Sequence, residues 1–326
     1  MLFWFAASIC LAQQPETSGQ NAIRVQSSLV LVDVISQNPA NGLPVRDLKK
    51  EDFRVLDEGH EVPIASFEAG ARFDTRPVIL WLVVICNERG RIGGSSQFVG
   101  KETLFRPALD HLDKLDTVGV AHWCDNGETK LDLLPTADRD KPIGVLAETI
   151  KPIPFHIGGN SSQVGEATFR RMVRLIVQDA HRRNPQPLPV VVFLDGDYTG
   201  QPRSDLNELV DDLLETSGIV FGIKDTRFPA MPQLQHEQGE ILHYMADQTG
   251  GQFFAAPPAG FSAALDAIMM QLHFRYELGF APPVIDGKRH GLKVELTNEA
   301  KERYKGIRLR FRPEYIPLAE APSWTR

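Results

Sequence analysis

Four carboxylates, Glu88, Asp125, Asp195 and Asp197, stand at or just after the ends of runs of β-forming apolar residues. Oxygens gathered in that way suit a hard cation such as Ca²⁺; solvated loop carboxylates are the other reading. Asn87 and Arg89 flank Glu88, and Gly158-Gly159-Asn160-Ser161-Ser162 adds an amide and two hydroxyls. Ser161 or Ser162 with His156 raises nucleophilic catalysis. There is, however, no G-x-S-x-G elbow, and nothing in the spacing brings serine and imidazole within hydrogen-bonding reach. The stretch GGNSSQVG lacks the GK[ST] of a phosphate cradle. The three cysteines, Cys10, Cys86 and Cys124, make no C-x-x-C and no Cys/His cluster with zinc spacing, so no structural metal site is expected.

The element that must position these groups is Val78 to Cys86, an unbroken apolar run rich in Val and Ile. It is too short for a membrane span and reads as a central strand buried on both faces. Its polar continuation, Asn87 to Gly90, leaves at the carboxyl edge, where open α/β sheets collect ligands. From there strands alternate with helices. The pattern predicts a helix over GKETLFRPALDHLDKL, with Pro107 in its first turn or kinking it. A strand over Val118 to Cys124, an Asn126-Gly127 hairpin turn and a strand over Lys130 to Leu134 follow. Next come a helix from Glu166 to Arg183, a strand over Val190 to Leu194, a helix from Ser204 to Thr216, and a strand over Ile219 to Ile223. A helix from Glu240 to Gln248, a strand over Phe253 to Ala255 and a helix from Phe261 to Phe274 complete the series. This spells a doubly wound, mostly parallel sheet. Trp81, Trp123, Phe193 and Phe221 lie inside strand runs and are expected in the core.

The flanks differ. Ile23 to Ile35 alternates as a strand, and Phe53 to Leu56, the turn Asp57-Glu58-Gly59 and Val62 to Phe67 form a hairpin. At the other end Arg275 to Phe280, Leu292 to Leu296 and Ile307 to Arg312 are strands. The two all-β ends are expected to pair as a small β-sandwich beside the α/β body. The expected divisions are therefore a leader over 1–12, a β segment over 22–70, the α/β domain over 76–274, a second β segment over 275–316 and a tail over 317–326.

A chain of 326 residues with net charge −7 is long enough for real cores and does not carry the basic face of a nucleic-acid binder. Its densest basic run, Arg170 to Arg183, is spaced like the wet side of a helix. Met1 to Ala12 is wholly apolar and ends in a small residue, like the hydrophobic and cleavage regions of an export signal, although a basic leader is missing. A hydrophobic N-terminus on a cytosolic protein is the plainer alternative. Export points to a secreted or periplasmic location.

The phrases DLKKEDFRVLDEGHEVPIASFEAG, DTVGVAHW, VVVFLDGD, MADQTGGQFF, RYELGFAP and HGLKVEL, in this order, resemble the von Willebrand factor A-related family of the acidobacterial type. The resemblance covers nearly the whole chain after the leader. It implies a protein-binding or adhesion-type module that is not an enzyme. Members usually hold a divalent cation at an adhesion site built from a DxSxS motif after the first core strand, a threonine on a second loop and an aspartate after the fourth strand. Here Cys86-Asn87-Glu88-Arg89-Gly90 occupies the DxSxS place, the second loop aligns no threonine, and Asp195 alone remains.

One ligand is too few for tight Mg²⁺, so a degenerate site and metal-independent binding are expected. The expected partner is a protein, with no nucleic acid and no cofactor. Arg89 stands where the cation would be and either neutralises Asp195 or points to water. Metal-dependent binding through Glu88, Asp195 and Asp197 is the alternative, and hydrolysis a more remote one. In the topology the resemblance implies, the first two core strands are parallel neighbours, which sets Cys86 beside Cys124 and suggests a disulfide.

Overall fold

The computed structural model describes residues 29–69, 77–86, 105–124, 129–149, 161–183, 187–194, 205–225 and 240–318. At residues 86, 124, 161–168, 205, 225, 240, 241 and 258 it describes the backbone alone. In chain order the N-terminal strands are β1 (Val30–Gln37), β2 (Phe53–Asp57), β3 (His60–Val62) and β4 (Ile64–Ala69). The α/β series runs β5 (Val78–Cys86), α1 (Arg106–Leu109), β6 (Thr117–Cys124), β7 (Thr129–Thr136), α2 (Asp140–Thr149), α3 (Ser161–His181), β8 (Leu188–Leu194), α4 (Asp205–Glu215), β9 (Ile219–Asp225), α5 (Glu240–Thr249), β10 (Phe253–Ala256) and α6 (Phe261–His273). The last elements are β11 (Tyr276–Phe280), β12 (His290–Leu296), α7 (Asn298–Arg303), β13 (Arg308–Arg310) and β14 (Glu314–Tyr315).

The body is a six-stranded sheet in the order β10-β9-β8-β5-β6-β7. All neighbours are parallel except β6 and β7, the pair joined across Asn126-Gly127. The unbroken apolar sequences of β5 and β8 follow from their central places, since helices cover both of their faces. Alternate residues divide between two cores. Leu80, Leu82 and Val84 of β5 join Val190 and Val192 of β8 under α1 and α6, with Leu265, Ile268 and Leu272 inward. Trp81, Val83 and Ile85 join Val191 and Phe193 under α3, α4 and α5. Along α3, Phe169, Met172, Val173, Ile176, Val177 and Ala180 are buried while Arg171, Arg174 and Arg182 are exposed. The basic run is thus the wet face of an amphipathic helix.

Gly119 is paired with Trp81, and a Cβ there would stand 2.7 Å from the indole Cε3. The missing side chain makes room for the indole over the neighbouring strand. At the end of α5, Gly250 takes φ +81° and lets Gly251 N–H bond back to Ala246 O at 2.9 Å, a left-handed helix stop.

The flanking segments do pair with each other, forming two four-stranded sheets, β13-β1-β11-β4 and β14-β12-β2-β3. In the first, β1 lies antiparallel between β11 and β13; in the second, β2 lies antiparallel between β12 and β3. Val32, Val34, Tyr276, Leu278 and Phe280 from the first sheet share one apolar cluster with Phe53, Val55, Val294, Leu296 and Tyr315 from the second.

Arginines fasten these sheets to the body. Arg275 Nε donates to Asp33 Oδ1 at 2.7 Å and its Nη1 to Leu272 O at 2.8 Å. Arg312 donates from Nη1 to Leu214 O and Ser217 Oγ, both at 3.0 Å, and from Nη2 to Leu31 O at 2.7 Å. Arg289 ties Asp211 of α4 to Glu314 of β14.

Three sequence expectations are corrected. The helix expected over GKETLFRPALDHLDKL is, within the described residues, only the four residues of α1, with Pro107 in its first turn. It stops because Asp116 turns the chain: its carboxylate accepts from Asp113 N–H at 2.9 Å and from Val78 N–H at 2.7 Å. Those local bonds compete with a longer helix. Helix α2 was not expected, and it buries only Pro142 and Leu146. Helix α3 starts at Ser161, five residues before the expected Glu166.

Candidate functional site

The crevice where strand order reverses lies between β5 and β8, whose registers end at Val84 opposite Leu194. Residues leaving these two carboxyl ends start side by side, which is where doubly wound sheets bind ligands. Of the expected site residues, Asn87, Glu88, Arg89, Asn160, Asp195 and Asp197 lie outside the described residues, as do Asp125 and His156. The chain reaches them directly from Cys86 and Leu194.

Ser161 and Ser162, expected in a loop, form the first residues of α3. Phe169 packs against Trp123 in a T-shape and against Phe193 in a stack, each at 5.6 Å between ring centres. Both partners stand one residue before the end of their strands. The start of α3, one to two turns further on, therefore lies at the same carboxyl edge.

Two groups at this edge went unnoticed in the sequence. His122 on β6 has its Nδ1 2.7 Å from Asp132 Oδ2 on β7, with side-chain exposures of 12% and 10%. Lys130 Nζ stands 3.6 Å from the other oxygen of Asp132. A neutral imidazole facing a carboxylate this way carries its proton on Nδ1 and its lone pair on Nε2. The available signal was a polar residue inside the apolar stretch VGVAHWC, two places before Cys124.

Cys86 and Cys124 are register partners on adjacent parallel strands, so the expected juxtaposition of their backbones is met, but the structure contains no disulfide. In-register residues of parallel strands are about 4.8 Å apart, beyond the roughly 3.5–4.5 Å between Cβ atoms that a disulfide prefers. A bond between them would strain both strands.

At the opposite, amino edge His111, Asp113, Asp116, His273 and Arg275 line a small cleft. Burial pushes the Asp116 carboxyl above the usual carboxylate range, partly offset by its bonds from Val78 and Asp113. These groups tie β5, β6 and α6 together. No helix among the described residues is long and apolar enough to cross a membrane.

With its first two core strands as parallel neighbours in a six-stranded, mostly parallel sheet, the chain has a von Willebrand factor A-like fold. No protein-family model matches it, and no curated protein does. Among solved structures it is similar to a von Willebrand factor type A protein from Catenulispora acidiphila, with 12% identity, a TM-score of 0.42, and coverage of 90% of this chain and 76% of that one. It is also similar to the conserved hypothetical protein BatB from Bacteroides thetaiotaomicron, with 13% identity, a TM-score of 0.39, and coverage of 60% and 97%. A third is proximal thread matrix protein 1 from the mussel byssus, with 9% identity and a TM-score of 0.42; coverage is 64% of this chain and 49% of that one.

Proposed function

We propose that this chain is a non-enzymatic protein-binding module, exported to the periplasm or beyond, whose partner docks on the carboxyl edge of the six-stranded sheet. One observation carries the reading: β5 and β8 end side by side at the reversal of strand order. The sequence beyond those ends, Asn87-Glu88-Arg89 and Asp195-Gly196-Asp197, is charged and polar. Recognition there runs through side chains and shape, without a Mg²⁺ or Ca²⁺ ion, because Asp195 alone remains of the ligand set expected from the family resemblance. The two flanking sheets serve as a sandwich that holds the body from behind.

Capture from an envelope extract with the full chain as bait tests the proposal. The expected result is a partner lost when the bait carries Glu88→Lys with Asp195→Lys, and kept whether or not Mg²⁺ is supplied. A partner indifferent to those substitutions refutes the surface. Calorimetric heat on adding Mg²⁺, Mn²⁺ or Ca²⁺ that vanishes in Asp195→Ala refutes metal independence. Turnover on ester or peptide panels that disappears in Ser161→Ala or Ser162→Ala refutes the non-enzymatic reading. Mass analysis of the exported protein checks the leader, with an N-terminus after Ala12 expected.

A further inference from the structure

The sheet brings together three residues with soft-metal chemistry that the sequence keeps apart. His122 and Cys124 are two apart on β6, hence on one face of that strand, with Cα atoms about 6.6 Å apart. Cys86 on β5 is the register partner of Cys124, and His122 pairs with Val84. By alternation Cys86 belongs with Leu80, Leu82 and Val84, and Cys124 with Val118 and Val120; these residues share the apolar cluster under α1 and α6. All three residues therefore sit on the same face at one corner of the carboxyl edge. Cys86 and His122 form the long diagonal of the triangle, about 7–8 Å.

Asp132 supplies an independent observation. It holds His122 Nδ1 at 2.7 Å where both side chains are nearly out of solvent. A carboxylate on the far nitrogen of a histidine is the usual support of a metal-bound imidazole: it fixes the ring and raises the basicity of Nε2. Among the described residues no three His, Cys, Asp or Glu converge as metal ligands, and the side chains of Cys86 and Cys124 lie outside that set.

We propose that Cys86, Cys124 and His122 form a zinc site, with Asp132 as the residue positioning the imidazole and the fourth coordination place open to water. Two thiolates and one imidazole are a donor set zinc accepts, at about 2.3 Å to sulfur and 2.0–2.1 Å to nitrogen, and thiolates favour it over Mg²⁺ or Ca²⁺. Binding converts two thiols to thiolates and releases two protons, leaving metal plus ligands with no net charge, which suits a poorly hydrated corner. A metal some 2.3 Å from each sulfur also fits strands too far apart for an easy disulfide. The site does not depend on the protein-binding reading, and its test uses no partner.

The full chain, reduced, stripped of metal and checked for its fold by circular dichroism, is titrated with Co²⁺ and then Zn²⁺. One equivalent of Co²⁺ is expected to give a thiolate-to-cobalt charge-transfer band that one equivalent of Zn²⁺ abolishes. Cys86→Ser, Cys124→Ser and His122→Asn are each expected to lose the stoichiometric site. Asp132→Asn, which preserves shape, is expected to keep the stoichiometry with affinity reduced about 10–100-fold. Reduced, folded protein that binds no zinc, or binds it equally in Cys124→Ser and His122→Asn, overturns the proposal. So does a Cys86–Cys124 disulfide that, once reduced, yields no zinc-binding form.

Discussion

The junction between the body and the first flanking sheet depends on Arg275. Its guanidinium is 2% exposed and Asp33 is 4% exposed, with 2.7 Å between Nε and Oδ1. The same arginine also caps the end of α6 through Leu272 O. Arg275→Met retains the bulk of the stem and removes the cation, so Asp33 keeps its charge in a dry place without it. Breaking one side of a buried pair in this way costs about 3–5 kcal/mol. At a urea m-value of about 3 kcal/mol/M, a roughly 1–1.7 M fall in midpoint is expected. Asp33→Leu combined with Arg275→Met removes both charges and should recover most of that loss, giving a coupling energy of several kcal/mol in a double-mutant cycle. The assay is urea unfolding followed by circular dichroism and tryptophan fluorescence. A single-variant cost below about 1 kcal/mol, the range of exposed pairs, would refute the reasoning, as would a double variant no more stable than the single.

Burial pushes His181, at the end of α3, down to about 4 from its ordinary 6.5. The unfolded chain then binds the extra proton between those values, so stability is full above pH 6.5 and falls as pH drops towards 4. The loss is up to about 3 kcal/mol, and His181→Gln should flatten that limb of a pH series of urea midpoints. Gly119→Ala places a Cβ 2.7 Å from the fully buried Trp81 ring and should cost about 1–3 kcal/mol. Gly144→Ala meets nothing within 4 Å and lies in α2, so thermal unfolding should show a gain of about 0.5–1 kcal/mol. Arg312→Lys keeps the charge but not the fork that reaches Leu214, Ser217 and Leu31. A loss of about 2 kcal/mol is expected from denaturant titration.

What could be read from the sequence followed the strength of its periodicity. β5 and β8 are continuous apolar runs because both of their faces are covered, and α3 shows its buried stripe plainly. Helix α2 was missed because it buries two residues and contains Pro142 and Gly144. Helix α7 was missed too: it buries only Ala300 and is held by the Thr297 hydroxyl accepting from Ala300 N–H. The edge residues Asn87 and Asp195 were legible because polar residues follow apolar runs. The meeting of His122 with Asp132 was not, since the β6–β7 register shifts twice between Val118 and Ala121. No count of residues along the chain predicts which side chains face each other across such irregularities.

The closure of the flanking sheets is an event in time as well as space. β1 pairs Val30 with Phe280 and Val34 with Tyr276, and β2 pairs Phe53 with Leu296, so the earliest strands of a nascent chain wait for nearly the last. The six-stranded body can collapse from nearer neighbours first. The β1–β11 ladder and the Asp33–Arg275 bond can form only afterwards, against the entropy of a loop longer than two hundred residues. Such distant pairings make folding slow, and until they close, β1 presents both of its edges to any other unfinished copy. A chaperone that shields β1 until Tyr276 to Phe280 emerges would therefore raise the yield of folded protein more than one acting on the body.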